Sequence, residues 1–111
     1  RSDHMLSNSF TFLMGQAWQA NDNLRAFKLA ANALEAQYSP TSLYNYGIIG
    51  TYLESQKILQ ADNNQSWRQA LVSIINLNQD TTSGSAAMKK YASAVLNNTL
   101  QQKPPVVLPP Q

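Results

Sequence analysis

Apolar positions in the first part of the chain recur at helical spacing. Phe10, Leu13, Met14, Ala17 and Trp18 follow the i, i+3, i+4, i+7 pattern of an amphipathic helix, and Ser7 or Ser9 is placed to cap its start. Asn21–Asn23 interrupts the pattern, and Asp22 or Asn23 is placed to cap a second helix. In that helix Leu24, Phe27, Ala31, Leu34 and Tyr38 form a stripe at steps of three and four. Ser39–Pro40 stops it, because the residue before proline is pushed out of the α region. A third helix should start at Thr41 or Ser42 and run through Leu43, Tyr46, Gly47, Ile49, Gly50, Leu53 and Ile58. Its segment YGIIGTYL is rich in β-branched and aromatic residues and, alone, reads as a strand. The helix-favouring LESQKILQ that follows decides for helix.

After a loop at Ala61–Ser66, a fourth helix carries Trp67, Ala70, Leu71, Ile74, Ile75 and Leu77. A loop at Asn78–Ser85 leads to a fifth helix from Ala86 to near Leu100, through Met88, Tyr91, Ala92, Val95 and Leu96. The chain closes with KPPVVLPPQ, Lys103–Gln111. Four prolines there exclude helix and favour extended polyproline II. Such an arm should bury little surface and act as a linker. Docking of Val106, Val107 and Leu108 would instead make it an occupant of the domain's own groove. The organisation expected is one all-α domain at residues 6–102, a proline-rich tail at 103–111, and a patternless start, RSDHM, read as a cloning remnant at 1–5.

Composition changes this picture by exclusion. Charged residues are 13% of the chain, while Asn and Gln number 11 each, so the polar surface is built largely from neutral amides. A net charge of +2 is spread over scattered lysines and arginines, Lys89–Lys90 being the only adjacent pair. Nucleic acid needs a basic stripe to replace phosphate counterions, and none is present. The chain has no cysteine, which removes disulfides, thiolate chemistry and Cys-ligated zinc. The one histidine, His4, lies in the segment set aside. No apolar run approaches the roughly 18–20 residues of a membrane helix.

One figure recurs. FLMGQAW at Phe12–Trp18 and YNYGIIG at Tyr44–Gly50 each place a glycine inside an apolar stretch, Gly15 and Gly47 being 32 residues apart. A helix-interior glycine costs roughly 1 kcal/mol against alanine, so the pair suggests close backbone contact between helices. Met14-Gly15-Gln16-Ala17-Trp18, the small residues Ala26, Ala30 and Ala33, the closing Pro40 and the opening Leu43–Gly47 resemble the tetratricopeptide-repeat family, whose period is about 34 residues. The resemblance covers about residues 9–78. It departs at Gly50, where the family carries an aromatic, and in a longer loop between the third and fourth helices. It implies two antiparallel helical hairpins and a C-terminal capping helix.

No catalytic constellation is visible. Without cysteine or a histidine beyond the start of the chain, the common nucleophile–base pairs cannot be assembled, and Asp22, Glu35, Glu54, Asp62 and Asp80 are dispersed. No phosphate, dinucleotide or calcium loop occurs, so no enzyme, cofactor or metal is expected. Asn64-Gln65-Ser66 and Asn97-Asn98-Thr99 match glycosylation triplets, which arise readily by chance in an Asn-rich chain. The resemblance implies a concave groove for a peptide or helix of a partner protein, lined by Phe12, Gln16, Gln19, Tyr44, Asn45, Ile48 and Tyr52. Asn45 resembles the asparagine with which some members hold a C-terminal carboxylate, but the accompanying lysines are missing. Phe12 and Tyr44 alternatively pack in the core. The expected function is a protein–protein interaction module, with bacterial envelope or secretion assembly as a setting. The alternatives are a structural helical domain of a longer chain, or a chaperone or immunity protein that masks one partner.

Overall fold

The structure, a computed structural model, describes residues 2–77, 84–97 and 100–109. Five helices succeed one another: α1 (Ser2–Gln19), α2 (Asn23–Ala36), α3 (Pro40–Ser55), α4 (Ser66–Ile75) and α5 (Ser85–Leu96). No strand occurs among the described residues. The Asn78–Ser85 loop lies mostly outside them.

The helix boundaries have local chemical causes, some different from those expected. Ser7 and Ser9 lie inside α1 and cap nothing; the helix already begins at Ser2, so residues 2–5 continue it. Ser7 Oγ donates instead to the Ala33 carbonyl at 3.0 Å and ties α1 to α2. Between them Asn21 takes a left-handed conformation, φ 61°, which asparagine tolerates better than most residues. Asp22 occupies the N-cap position of α2 without a side-chain capping bond. Ser39–Pro40 starts a helix rather than ending one. Helix α2 has already stopped at Ala36, and Ser39 forms a reciprocal capping box with Ser42 while Pro40 opens α3. At its far end α3 stops at Ser55, and Lys57 turns left-handed at φ 63°, leaving Ile58 outside the helix. The Asp62 carboxylate then accepts from the Asn64 and Ser66 N–H groups and the Ser66 hydroxyl. These bonds, the Ser66 hydroxyl first, hold its pKa below the usual carboxylate value and start α4.

YGIIGTYL is helical because α3 is the central helix. Ten of its residues are buried, among them Leu43, Tyr44, Asn45, Ile48, Ile49 and Leu53, and it packs against α2, α4 and α5. A helix covered on every side is apolar on every side. The α2 stripe is displaced in part: Phe27 and Leu34 pack half-buried against the core, Leu24 and Tyr38 are exposed, and the buried face is Ala26, Ala30 and Ala33. Leu13 of α1 is likewise exposed. Small side chains on α2 let α1 approach closely, where a leucine stripe would hold the axes apart.

The glycines do different work. A Cβ at Gly47 would lie 2.8 Å from Leu71 Cδ2 and 3.1 Å from Ala70 Cβ, so Gly47 spaces α3 from α4. Gly50, at the position of the missing family aromatic, is tighter in kind: a Cβ there would lie 2.8 Å from both Cβ and Cγ of Trp67 and 2.9 Å from Phe27 Cε1. Those rings belong to a cluster in which Phe27 stacks on Tyr46 and meets Trp67 edge-on. Trp67 Nε1 donates to Glu54 at 2.9 Å, fixing the indole. Gly15 faces no helix. Its missing side chain leaves room for Leu108 of the tail, whose Cδ2 would collide with a Cβ there.

Gly50→Ala should therefore lower stability by about 1–3 kcal/mol, since Trp67 Cβ sits next to its own backbone and cannot swing away. Gly15→Ala meets only the movable end of Leu108, and the helix-propensity gain of about 1 kcal/mol offsets the displacement. Urea midpoints should place Gly50→Ala well below wild type and Gly15→Ala near it; the reverse order would contradict these packing assignments.

Candidate functional site

The tail is docked, not solvated. Residues 103–109 carry no helix or strand and lie across α1 and α3, with Pro104 among the fully buried side chains. The reason lies in proline chemistry. Proline lacks an N–H and cannot join a ladder, but its carbonyl remains a full acceptor. Polyproline II makes no internal hydrogen bonds, so its carbonyls await external donors. Here side chains supply them. Trp18 Nε1 donates to the Pro104 carbonyl at 2.9 Å and the Tyr44 hydroxyl to the Pro105 carbonyl at 2.7 Å. Asn45 pairs with Val107 twice: its Nδ2 donates to the Val107 carbonyl, and its Oδ1 accepts from the Val107 N–H, both at 2.8 Å. At the entrance Lys103 Nζ donates to the Trp18 carbonyl and to Asn21 and Asn23. Val106 and Val107 pack against the core, and Leu108 lies half-exposed over Gly15.

The donors are fixed from beneath. Trp18 is 6% exposed and takes the edge of Tyr52 at a centroid distance of 5.9 Å. Tyr44 is 1% exposed. Desolvation, with a smaller contribution from Tyr91, pushes its phenol well above the ordinary tyrosine pKa, so it stays a donor.

Of the seven residues expected to line a groove, Tyr44 and Asn45 bind the tail's main chain. Gln19 flanks the tail in a cleft with Trp18, Asn21 and Lys103. Tyr52 acts through Trp18. Ile48 is fully buried core and lines no groove, because α3 is covered on that side as well. Phe12 and Gln16 are exposed on α1 and supply none of the tail hydrogen bonds described above. Sequence reasoning missed Trp18 as a donor, Asn21 and Asn23 as acceptors, and Lys103. The available signal was Val106-Val107-Leu108, an apolar run inside an arm otherwise read as solvated.

Glu54 is held by Trp67 and Asp62 caps α4; Asp80 lies outside the described residues. Among the described residues no group of three or more His, Asp or Glu is placed to hold a metal ion, and no helix is long and apolar enough to cross a membrane. Comparison with protein-family models, with curated proteins and with solved structures returns no match.

The raised Tyr44 pKa gives a signed pH dependence. An unfolded tyrosine ionises near about pH 10, below the folded value, so the stability Tyr44 contributes is intact below that pH and is lost as pH climbs above it. Urea midpoints should fall more steeply for wild type than for Tyr44→Phe above about pH 10. At neutral pH Tyr44→Phe should cost about 1 kcal/mol, the usual worth of such a bond. Parallel alkaline profiles would show that the phenol is not buried against the tail.

Proposed function

We propose that the chain is a non-enzymatic protein–protein interaction module that binds extended segments in a groove between α1 and α3. In this reading α1–α2 and α3–α4 are two tetratricopeptide-like helical hairpins and α5 caps the second. The more extensive packing of α1 on α2 and of α3 on α4 supports the pairing. The first helices of the two units, α1 and α3, carry the hydrogen bonds to the tail's main chain at Pro104, Pro105 and Val107.

One observation carries the functional reading. Trp18, Tyr44 and Asn45 hold the tail through its main chain at three of four consecutive residues, Pro104, Pro105 and Val107. Side chains that grip a backbone do not depend on the sequence they grip, which is how grooves accept extended ligands. The tail is then an occupant in cis, and a partner competes with it. A tethered segment on a short linker acts at an effective concentration in the millimolar range, so trans binding to the intact chain is weak until the tail is released.

Val107→Pro releases the tail without touching the groove, because it removes the N–H that Asn45 accepts. A fluorescent peptide of Lys103–Gln111 should bind full-length Val107→Pro at least about tenfold more tightly than wild type, as loss of a cis competitor requires. Adding Asn45→Ala should abolish the gain. Equal, weak binding to all three proteins would refute the groove and leave the tail as a structural brace.

A further inference from the structure

The entrance to the groove has a chemistry of its own. Lys103 Nζ lies 2.7 Å from the Trp18 carbonyl, 3.0 Å from Asn21 Oδ1 and 2.7 Å from Asn23 Oδ1. It also stands 3.8 Å from the centroid of the Trp18 ring. An ammonium has three N–H donors and no acceptor, and each donor here meets one oxygen. The indole face of Trp18, the strongest aromatic partner for a cation, lies against the same headgroup.

We propose that Trp18, Asn21 and Asn23 form a lysine-specific subsite, which makes the groove a receptor for a partner protein's extended segment in which lysine precedes two prolines. This deepens, and rests on, the groove reading above. All three acceptors are neutral, so the subsite selects by shape and not by countercharge. Three oxygens around one nitrogen suit the compact ammonium; the planar fork of arginine presents its donors in one plane and does not match them. The location adds attraction. The Trp18 carbonyl belongs to the last turn of α1, where the helix dipole favours positive charge. Partial burial of Lys103, which lowers its pKa, shows that the cation gives up some water on entry.

One ring also sets the register. The Trp18 face takes the lysine while its Nε1–H takes the carbonyl of the next residue, Pro104. A ligand that places lysine correctly thereby places its first proline, and Tyr44 and Asn45 then meet the residues that follow. The occupant is a partner and not a second copy of this chain. A second copy offers only the contacts that the tail already makes in cis, against an effective concentration it cannot match. A partner can add contacts, and α1, one wall of the groove, exposes Phe12 one turn before Gly15, on the flank of the face that meets the tail.

The test changes the ligand and leaves the protein folded. Fluorescent peptides of the Lys103–Gln111 sequence, carrying lysine, arginine or norleucine at the first position, are titrated into full-length Val107→Pro and read by anisotropy. Norleucine should weaken binding by at least about tenfold and arginine by about fivefold, the scale of a desolvated cation–π contact with charge-assisted hydrogen bonds. Norleucine and lysine peptides that bind equally would overturn the subsite while the groove stands. No binding by the lysine peptide would overturn both. Sedimentation of wild type should give a monomer; a dimer that excess lysine peptide dissociates would overturn the assignment to a partner and give the groove to a second copy.

Discussion

Asn45 is 1% exposed on a helix covered from every side, and a buried primary amide must find both a donor and an acceptor. Leaving either unpaired costs about 1–3 kcal/mol. No helix of the fold supplies them. The main chain of Val107 supplies both, 62 residues away in sequence. Tyr44, one residue earlier and equally buried, is in the same position and is answered by Pro105. The central helix is therefore complete only when a backbone lies along it, and that requirement organises the rest of the molecule.

Under the proposed function, stability and recognition share one set of groups. The bonds that hold the tail on α1 and α3 are those any extended segment could form, since carbonyls and an N–H are common to nearly all sequences. Identity enters at only a few points. Lys103 is read by Trp18, Asn21 and Asn23, and Leu108 rests where Gly15 has no side chain. Prolines favour the exchange of one segment for another, because a preformed polyproline II strand loses less entropy on docking than a flexible one.

The all-helical character was legible in the sequence because period-3.6 patterning survives in α1, α4 and α5. Helix α3 was harder. Its all-round burial erases the polar face that normally signals a helix, and only the polar residues that follow it argued against a strand. The α2 stripe was misplaced in part for a related reason: Ala26, Ala30 and Ala33 carry little hydrophobic weight, yet close helix packing selects them over Leu24. Among the glycines, the repeat of Gly15 and Gly47 pointed to close contact, but not with what. Gly47 meets a helix and Gly15 meets the tail. Of the tail's seat, Tyr44 and Asn45 were named only through the tetratricopeptide resemblance, which also named Phe12, Gln16 and Ile48. The seat itself was not legible, since it depends on contacts 61 to 86 residues apart that no local pattern encodes.

The central claim is that a main-chain segment completes α3, and the Val107 amide reports on it directly. Its N–H has one partner, Asn45 Oδ1. Hydrogen exchange followed residue by residue in the intact wild-type chain should show this amide protected by at least about a hundredfold over an unstructured chain, as expected of a bond that opens only with its surrounding unit. Exchange of the Val107 amide at the rate of a free peptide, with the amides of α3 still protected, would contradict the account.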